Sequence, residues 1–197
     1  MHIYIFMLDC SYELVLHSLI KMKNSGKLEM MAVQDVIILH GGELSSDIAS
    51  RLEAKISVQL GKDRVKLLPM SSSREVKSIL EAPPTTLAVF VAQTIENEAP
   101  PEDAGACVRF FKRRTHPADL LAGKFQFAVL GLGDSNLLLD RQHTAAKDCN
   151  QVAQALDRRL EDVGGVRYCN RGEADERTGL LEVEPWMDEL LDKIKVA

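Results

Sequence analysis

The sequence contains cysteines but lacks the spacing of a metal site or a disulfide framework. Its four cysteines (Cys10, Cys107, Cys149 and Cys169) are scattered over 197 residues, and no C-x-x-C pair occurs. Metal sites need ligands at short intervals, and a chain of this length builds a core without disulfide bonds. We therefore predict reduced thiols, no metal site and a cytoplasmic location.

The chain also lacks a long uninterrupted apolar run and an excess of basic residues. The apolar stretch IYIFMLDCSYELVLHSLI is broken by Asp9, Glu13 and His17, which makes it a poor match to a membrane span or a signal peptide. The net charge is −5, whereas a nucleic-acid surface needs a basic stripe. The composition therefore predicts no membrane span and no nucleic-acid partner.

Two nucleotide or phosphate signatures are missing as well. No G-x-x-x-x-G-K-[ST] motif occurs, which excludes a Walker-type site. A phosphoacceptor receiver domain needs paired acids after its first strand, where this sequence has His40-Gly41-Gly42. It also needs an aspartate after the third strand, where this sequence has Gln93-Thr94.

The sequence does have a regular alternation of short apolar runs with amphipathic stretches. The runs are VIIL (36–39), VKLL (65–68), TLAVFVA (86–92), FAVLG (127–131) and the shorter VRYC (166–169). Continuous apolar runs are typical of strands covered on both faces. Five βα units are too few for an eightfold barrel, so we predict an open, doubly wound parallel sheet. We place this domain at residues 31–197 and treat residues 1–30 as an N-terminal extension of unknown role.

Open sheets of this kind bind ligands beyond the carboxyl ends of their strands. The loops in question are HGGELSSD (40–47), QTIENEAPPED (93–103) and GLGDSNLLLD (131–140). Gly131 and Gly133 indicate either close backbone approach to a flat ligand or an ordinary tight strand–helix turn. The serines of the first loop indicate either a phosphate site at a helix start or a plain helix cap.

Three segments together resemble a known family: FAVLGLGDSN, DCNQVAQALDRRLEDVGG and GEADERTGLLEVEPWMDEL. They are similar to the flavodoxin-like FMN domain of the diflavin reductases, the family of cytochrome P450 reductase and methionine synthase reductase. The similarity runs from about Val33 to the C-terminus and is strongest after Pro100. The resemblance implies a flavodoxin-like three-layer α/β/α fold with a five-stranded parallel sheet in the order 2-1-3-4-5.

The resemblance also implies that three loops hold FMN, with the phosphate on the first loop and the isoalloxazine ring between the second and third. Such a domain is an oxidoreductase component that passes electrons from an FAD/NADPH reductase module to a redox acceptor protein, with no catalytic side chain of its own. We expect no room for the FAD/NADPH domain in 197 residues. The positions that carry over are Gly41, Ser45, Ser46 and Thr94 for the phosphate and ribityl chain, Ile95, Glu96, Asn97, Gly131, Leu132, Gly133, Asp134 and Leu137 near the ring, and Asn150, Asp175 and Glu176 around the flavin.

The three loops depart from the family's pattern. The first loop is shorter than the family's G-S-Q-T-G-T-A-E. Ile95 and Leu137 replace the aromatics that flank the ring, and an insertion follows at 138–148. Glu96 and Glu98 replace glycines, so that a Cβ obstructs a positive φ and close backbone approach. Two functions therefore stay open: an FMN-binding electron-transfer domain, and a flavodoxin-like scaffold that has lost FMN and acts as a protein-interaction domain.

Overall fold

The structure, a computed structural model, describes residues 31–95, 98–137 and 149–196. The predicted N-terminal extension (1–30), the insertion at 138–148 and the candidate site residues Glu96 and Asn97 lie outside the described residues. The domain boundary at residue 31 stays a prediction.

A parallel sheet forms the middle layer of the fold. Its strands are β1 (Asp35–Gly41), β2 (Val65–Pro69), β3 (Thr86–Gln93), β4 (Gln126–Gly133), β5 (Val166–Arg167) and β6 (Gly172–Asp175). They follow the order β2-β1-β3-β4-β5, and β6 pairs with β4 further along the same edge. The predicted order 2-1-3-4-5 is confirmed.

Helices cover both faces of this sheet. They are α1 (Glu43–Leu60), α2 (Ser73–Ser78), α3 (Gly105–Lys112), α4 (Gln151–Asp162) and α5 (Val183–Val196). Apolar side chains of α1 and α5 share one buried cluster with one face of the sheet, and those of α2, α3 and α4 share a second cluster with the other face. The predicted three-layer α/β/α architecture is confirmed.

The central strand β3 shows why a continuous apolar run was the right signal for this fold. Leu87, Val89 and Val91 point into one cluster, whereas Ala88 and Phe90 point into the other. Because side chains alternate along a strand, burial on both faces requires apolar residues at every position. The last residues of β1, β3 and β4 pair in register, so the three predicted loops leave the same edge of the sheet.

The fifth strand is shorter than the sequence predicted. A strand over 166–169 was expected, but β5 ends at Arg167 and the pairing with β4 resumes only at Gly172. Tyr168 and Cys169 are buried instead, and the backbone carbonyl of Asn170 accepts a hydrogen bond from the Trp186 indole at 2.9 Å.

Among the described residues, no helix combines the length and the apolar character that crossing a membrane requires.

Candidate functional site

The first loop is reduced to a single residue between β1 and α1. Gly42 fills this position with a φ of 103°, a left-handed value that favours glycine. The buried Ser45 hydroxyl donates to the Gly42 carbonyl at 2.8 Å, and the Ser46 N–H donates to the same carbonyl at 3.0 Å. The Ser45 hydroxyl and the Ser46 N–H therefore both form hydrogen bonds within the first turn of α1.

An aspartate from the second loop lies at the start of α1. The Gly42 N–H donates to Asp103 Oδ2 at 3.0 Å. A Cβ added to Gly41 would overlap with Ala104, and one added to Gly42 would overlap with the Gln93 side chain. The protein's own chain thus fills the space beside both glycines, and Asp103 occupies the Gly42 N–H that a ligand phosphate on this loop would use.

His40, at the end of β1, is partly buried near this aspartate. Burial lowers the pKa of His40, and the negative charge of Asp103 offsets only part of that effect. The imidazole is therefore neutral at neutral pH and does not compensate the Asp103 charge.

The second loop is a tight turn held to its neighbours by hydrogen bonds. The Thr94 N–H donates to the Leu132 carbonyl at 2.8 Å, and the Ile95 N–H donates to the Ala99 carbonyl at 2.8 Å. The buried Thr94 hydroxyl accepts the Val152 N–H in the first turn of α4 at 3.2 Å. This hydroxyl, which the resemblance assigns to a ligand, therefore caps a helix.

The two glycines of the third loop pack against the start of α4. A Cβ on Gly131 would lie 2.5 Å from Asn150 Oδ1 and 2.7 Å from Ala153 Cβ, and one on Gly133 would overlap with the Cys149 carbonyl. Leu132 between them is also buried. Of the two interpretations of these glycines, the geometry favours the tight strand–helix turn.

A buried carboxylate joins the third loop to the loop after β6. Asp175 accepts the Ser135 N–H at 3.0 Å and the Arg177 N–H at 3.0 Å. Burial alone would raise the pKa of Asp175, but the interactions with Ser135 and Arg177 outweigh burial and lower the pKa. Asp134 accepts the Asn136 N–H at 2.8 Å, which fixes the tip of the same loop.

Asn150 lies behind these loops rather than on the surface. It is buried, and its side-chain amide donates to the Ala174 carbonyl in β6 at 2.9 Å. Glu176, which follows Asp175, is exposed. Asn150 and Asp175 therefore position the loops, and Glu176 lies at the surface.

Two apolar side chains remain exposed on the second and third loops. Ile95 is 40% exposed and Leu137 is 47% exposed. Their loops follow neighbouring strands that pair up to Gln93 and Leu132. Only two other large apolar side chains are exposed in the part of the chain that the structure describes. An apolar pair at the carboxyl ends of adjacent strands is suited to contact a flat apolar ring.

Sequence reasoning missed the contact between Asp103 and Gly42. The available signal was an acid in PPEDAG, just before a predicted helix, and such a residue is typical of a helix cap. A single sequence gives no indication that this acid serves the start of α1, 61 positions earlier in the chain, rather than its own helix.

Comparisons with known proteins agree with this architecture. The family model described as flavodoxin matches residues 45–186. The chain is 37% identical over 107 residues to methionine synthase reductase from Bos taurus, covering 54% of this chain and 14% of that protein. It is 30% identical over 164 residues to NADPH-dependent diflavin oxidoreductase 1 from Bos taurus, covering 81% of this chain and 25% of that protein.

Among solved structures, a cysteine-to-alanine mutant of flavodoxin from Pseudomonas aeruginosa superposes with a TM-score of 0.60 at 20% identity, covering 82% of this chain and 99% of that one. This match shows the shared fold. The chain belongs to the flavodoxin family, and the resemblance to diflavin reductases is confirmed. It spans a quarter or less of the two diflavin-type relatives.

Proposed function

We propose that the chain binds a flavin at the carboxyl ends of β3 and β4 and works as an electron-transfer module. The observation that carries this proposal is the exposed apolar pair of Ile95 and Leu137. The hydrogen bond from the Thr94 N–H to the Leu132 carbonyl joins their loops. The two side chains therefore project from a backbone that is held in place. The family's cofactor is FMN, which when bound would supply the electron-carrying ring.

The residues fit the two ends of FMN unequally. The exposed apolar side chains of Ile95 and Leu137 fit the isoalloxazine ring. The first loop does not fit the phosphate, because Asp103 holds the Gly42 N–H and Ala104 covers Gly41. Asn150 and Asp175 support the ring end by fixing the loops around it.

The proposed partners are an FAD/NADPH reductase module as electron donor and a redox acceptor protein. Support comes from the similarity to NADPH-dependent diflavin oxidoreductase 1 and methionine synthase reductase.

We also propose a cytoplasmic location, since the three cysteines that the structure describes (Cys107, Cys149 and Cys169) are buried thiols. Burial raises the pKa of both Cys107 and Cys169 to about 12, which keeps these thiols protonated and unreactive.

The first experiment is a visible absorption spectrum of the purified protein, before and after incubation with excess FMN or riboflavin and desalting. We expect flavin bands that remain with the protein and a change in flavin fluorescence. Leu137→Glu should weaken binding roughly tenfold, because it replaces an apolar contact with a charge. Val58→Glu is the matched control: Val58 is also exposed but lies at the far end of α1. A colourless protein that retains neither flavin contradicts the proposal.

The second candidate function is a protein-interaction scaffold without flavin. The filled space at the start of α1 favours it, since a fold can persist after its ligand site has closed. The same spectrum separates the two functions. Retained flavin supports the electron-transfer module, and its absence supports the scaffold.

A further inference from the structure

The start of α1 already holds an anion that belongs to the protein. The Asp103 carboxylate accepts the Gly42 N–H at 3.0 Å, and Gly42 is the residue that caps this 18-residue helix. The first N–H groups of a helix and its dipole favour a negative charge at this place. A ligand phosphate on the first loop would need the same N–H groups and the same field.

Asp103 is held in this position by a hydrogen-bonded turn. It lies in the 3₁₀ turn Glu102–Ala104, whose end is closed by the Ala104 N–H and the Gly105 N–H, which both donate to the Pro101 carbonyl. A Cβ on Gly42 would also lie 3.0 Å from the Pro101 ring. The segment 101–105 therefore packs against β1 and α1 as a unit.

The charge of Asp103 opposes a phosphate in addition to filling its space. Two negative groups within a few ångströms repel each other, and because Asp103 is exposed, water weakens this repulsion. His40 lies close to Asp103 but is neutral at neutral pH, because burial lowers its pKa. At the ring end of the site, the exposed side chains of Ile95 and Leu137 are themselves uncharged.

We propose that Asp103 is a specificity-determining residue which takes the place of the ligand's phosphate, so that the site accepts a flavin without a terminal phosphate, of the riboflavin type, at least as well as FMN. This inference rests on the proposed flavin function. It names the class of flavin that the closed first loop admits.

The test measures dissociation constants for riboflavin and FMN by fluorescence titration of the wild-type protein and two variants. Asp103→Asn removes the charge and keeps an acceptor for the Gly42 N–H. Glu102→Gln is the matched control, because it removes the adjacent exposed charge and leaves Asp103 in place. We expect wild type to bind riboflavin as tightly as FMN or more tightly. Asp103→Asn should shift the preference towards FMN by about tenfold or more, as expected for a charged group near a phosphate.

A second readout does not depend on flavin. Asp103→Ala frees the Gly42 N–H, so inorganic phosphate should raise the melting temperature of this variant and leave that of wild type unchanged. Circular dichroism checks that both Asp103 variants are folded, and if Asp103→Ala does not fold, the flavin preference of Asp103→Asn decides the test.

The outcomes separate this inference from the proposed function. Wild-type protein that prefers FMN tenfold over riboflavin, with the preference unchanged in Asp103→Asn, overturns the inference and leaves flavin binding intact. Failure of wild type and all variants to bind either flavin overturns the proposed function, and this inference with it.

Discussion

Glu98 adopts a backbone conformation that suits glycine. Its φ is 59°, in the left-handed region, where a Cβ costs about 1–2 kcal/mol. The family has glycine here, so the positive φ forms in spite of the obstruction that the sequence predicted. The strain lies in the turn between Ile95 and Ala99, next to the exposed apolar pair, and is held by the hydrogen bond that closes this turn.

We expect Glu98→Gly to stabilise the protein by roughly 0.5–1 kcal/mol, since relief of the left-handed strain exceeds the added entropy of the unfolded chain. Urea denaturation measures the change in the free energy of unfolding. Glu98→Ala is the control, because it removes the carboxylate but keeps the Cβ. An equal gain in both variants would show that charge, and not φ, is the cause.

At this scale, the sequence predicted residue types better than it predicted their partners. Thr94, Asn150 and the two glycines of the third loop were recognised as special positions. Their contacts are with the start of α4 and with β6. A pattern in one sequence shows that a residue needs a close neighbour, but it does not show whether that neighbour is a ligand or another segment of the chain.

Helix α4 is joined to the broken edge of the sheet by a buried carboxylate. Asp157 is 2% exposed at its side chain and forms ion pairs with Arg167 at 2.9 Å and Arg171 at 2.7 Å. These arginines flank residues 168–170, which leave the sheet. The Arg167 guanidinium also pairs with Glu161 at 3.0 Å, so the cluster connects one helix to both short strands.

Asp157→Ala is expected to lower the free energy of unfolding by about 3 kcal/mol. Removal of one partner from a buried ion pair costs about 3–5 kcal/mol, and the part-exposed arginines place this case at the lower end. Asp162→Ala in the same helix removes an exposed acid, whose pairing with Arg159 spans 3.7 Å, and should change stability by less than about 1 kcal/mol. Guanidinium denaturation compares the two variants. Equal small effects would contradict a structural role for Asp157.

Position 172, the first residue of β6, needs glycine because an aromatic ring lies against its backbone. A Cβ there would come within 2.7 Å of Leu130 Cδ1 and of the Trp186 ring. This ring belongs to α5 and is largely buried. The pairing of β6 with β4 and the packing of α5 are therefore linked at one position.

Gly172→Ala should destabilise the protein by about 1–3 kcal/mol, since an added methyl group forces packed side chains to move. Trp186 is the single tryptophan of the chain, so its fluorescence reports the displacement directly. Gly105→Ala is the control: its Cβ would meet only the flexible end of Arg109, and alanine favours the helix. Unchanged stability and fluorescence in Gly172→Ala would contradict this packing argument.

Elements with one uniform pattern were predicted well, and the composite fifth strand was not. TLAVFVA is a continuous apolar run, and the buried residues Val152, Leu156 and Leu160 of α4 recur at helical spacing, so a local pattern suffices. VRYC has the same apolar character, but Trp186 holds the residue that follows it, Asn170, and Asp157 holds Arg167 and Arg171. Those are contacts between distant parts of the chain, which local periodicity does not encode.

On the scale of the whole molecule, the alternation of runs and helices was enough to predict an open, doubly wound parallel sheet, and the strand order 2-1-3-4-5 came from the family resemblance. Five βα units allow few topologies, because parallel connections are right-handed and sequential strands tend to be neighbours. The ligand was harder to predict, since the family's loops occur here with different side chains. The sequence therefore predicts the fold better than the ligand site, which lies where three loops meet at one edge of the sheet.

We propose that residues 31–197 fold independently of residues 1–30. The Met31 carbonyl accepts a hydrogen bond from Gln126 at 2.8 Å, and Val33 is part of the core. A chain that begins at Met31 should unfold in one transition at the same urea midpoint as the full chain. A chain that begins at Asp35 is the control and should lose about 2–3 kcal/mol, through one buried valine and its neighbouring hydrogen bonds. Reduced stability of the 31–197 chain would contradict the boundary.

The gap between β5 and β6 also affects how copies of this protein meet. A long regular strand at the margin of a sheet offers a row of free backbone groups that recruits strands from other molecules. Here that margin consists of strands of two and four residues, separated by a segment that turns inward and flanked by Arg167 and Arg171. The same interruption that fixes α5 and α4 thus makes this margin of the sheet a poor template for edge-to-edge pairing.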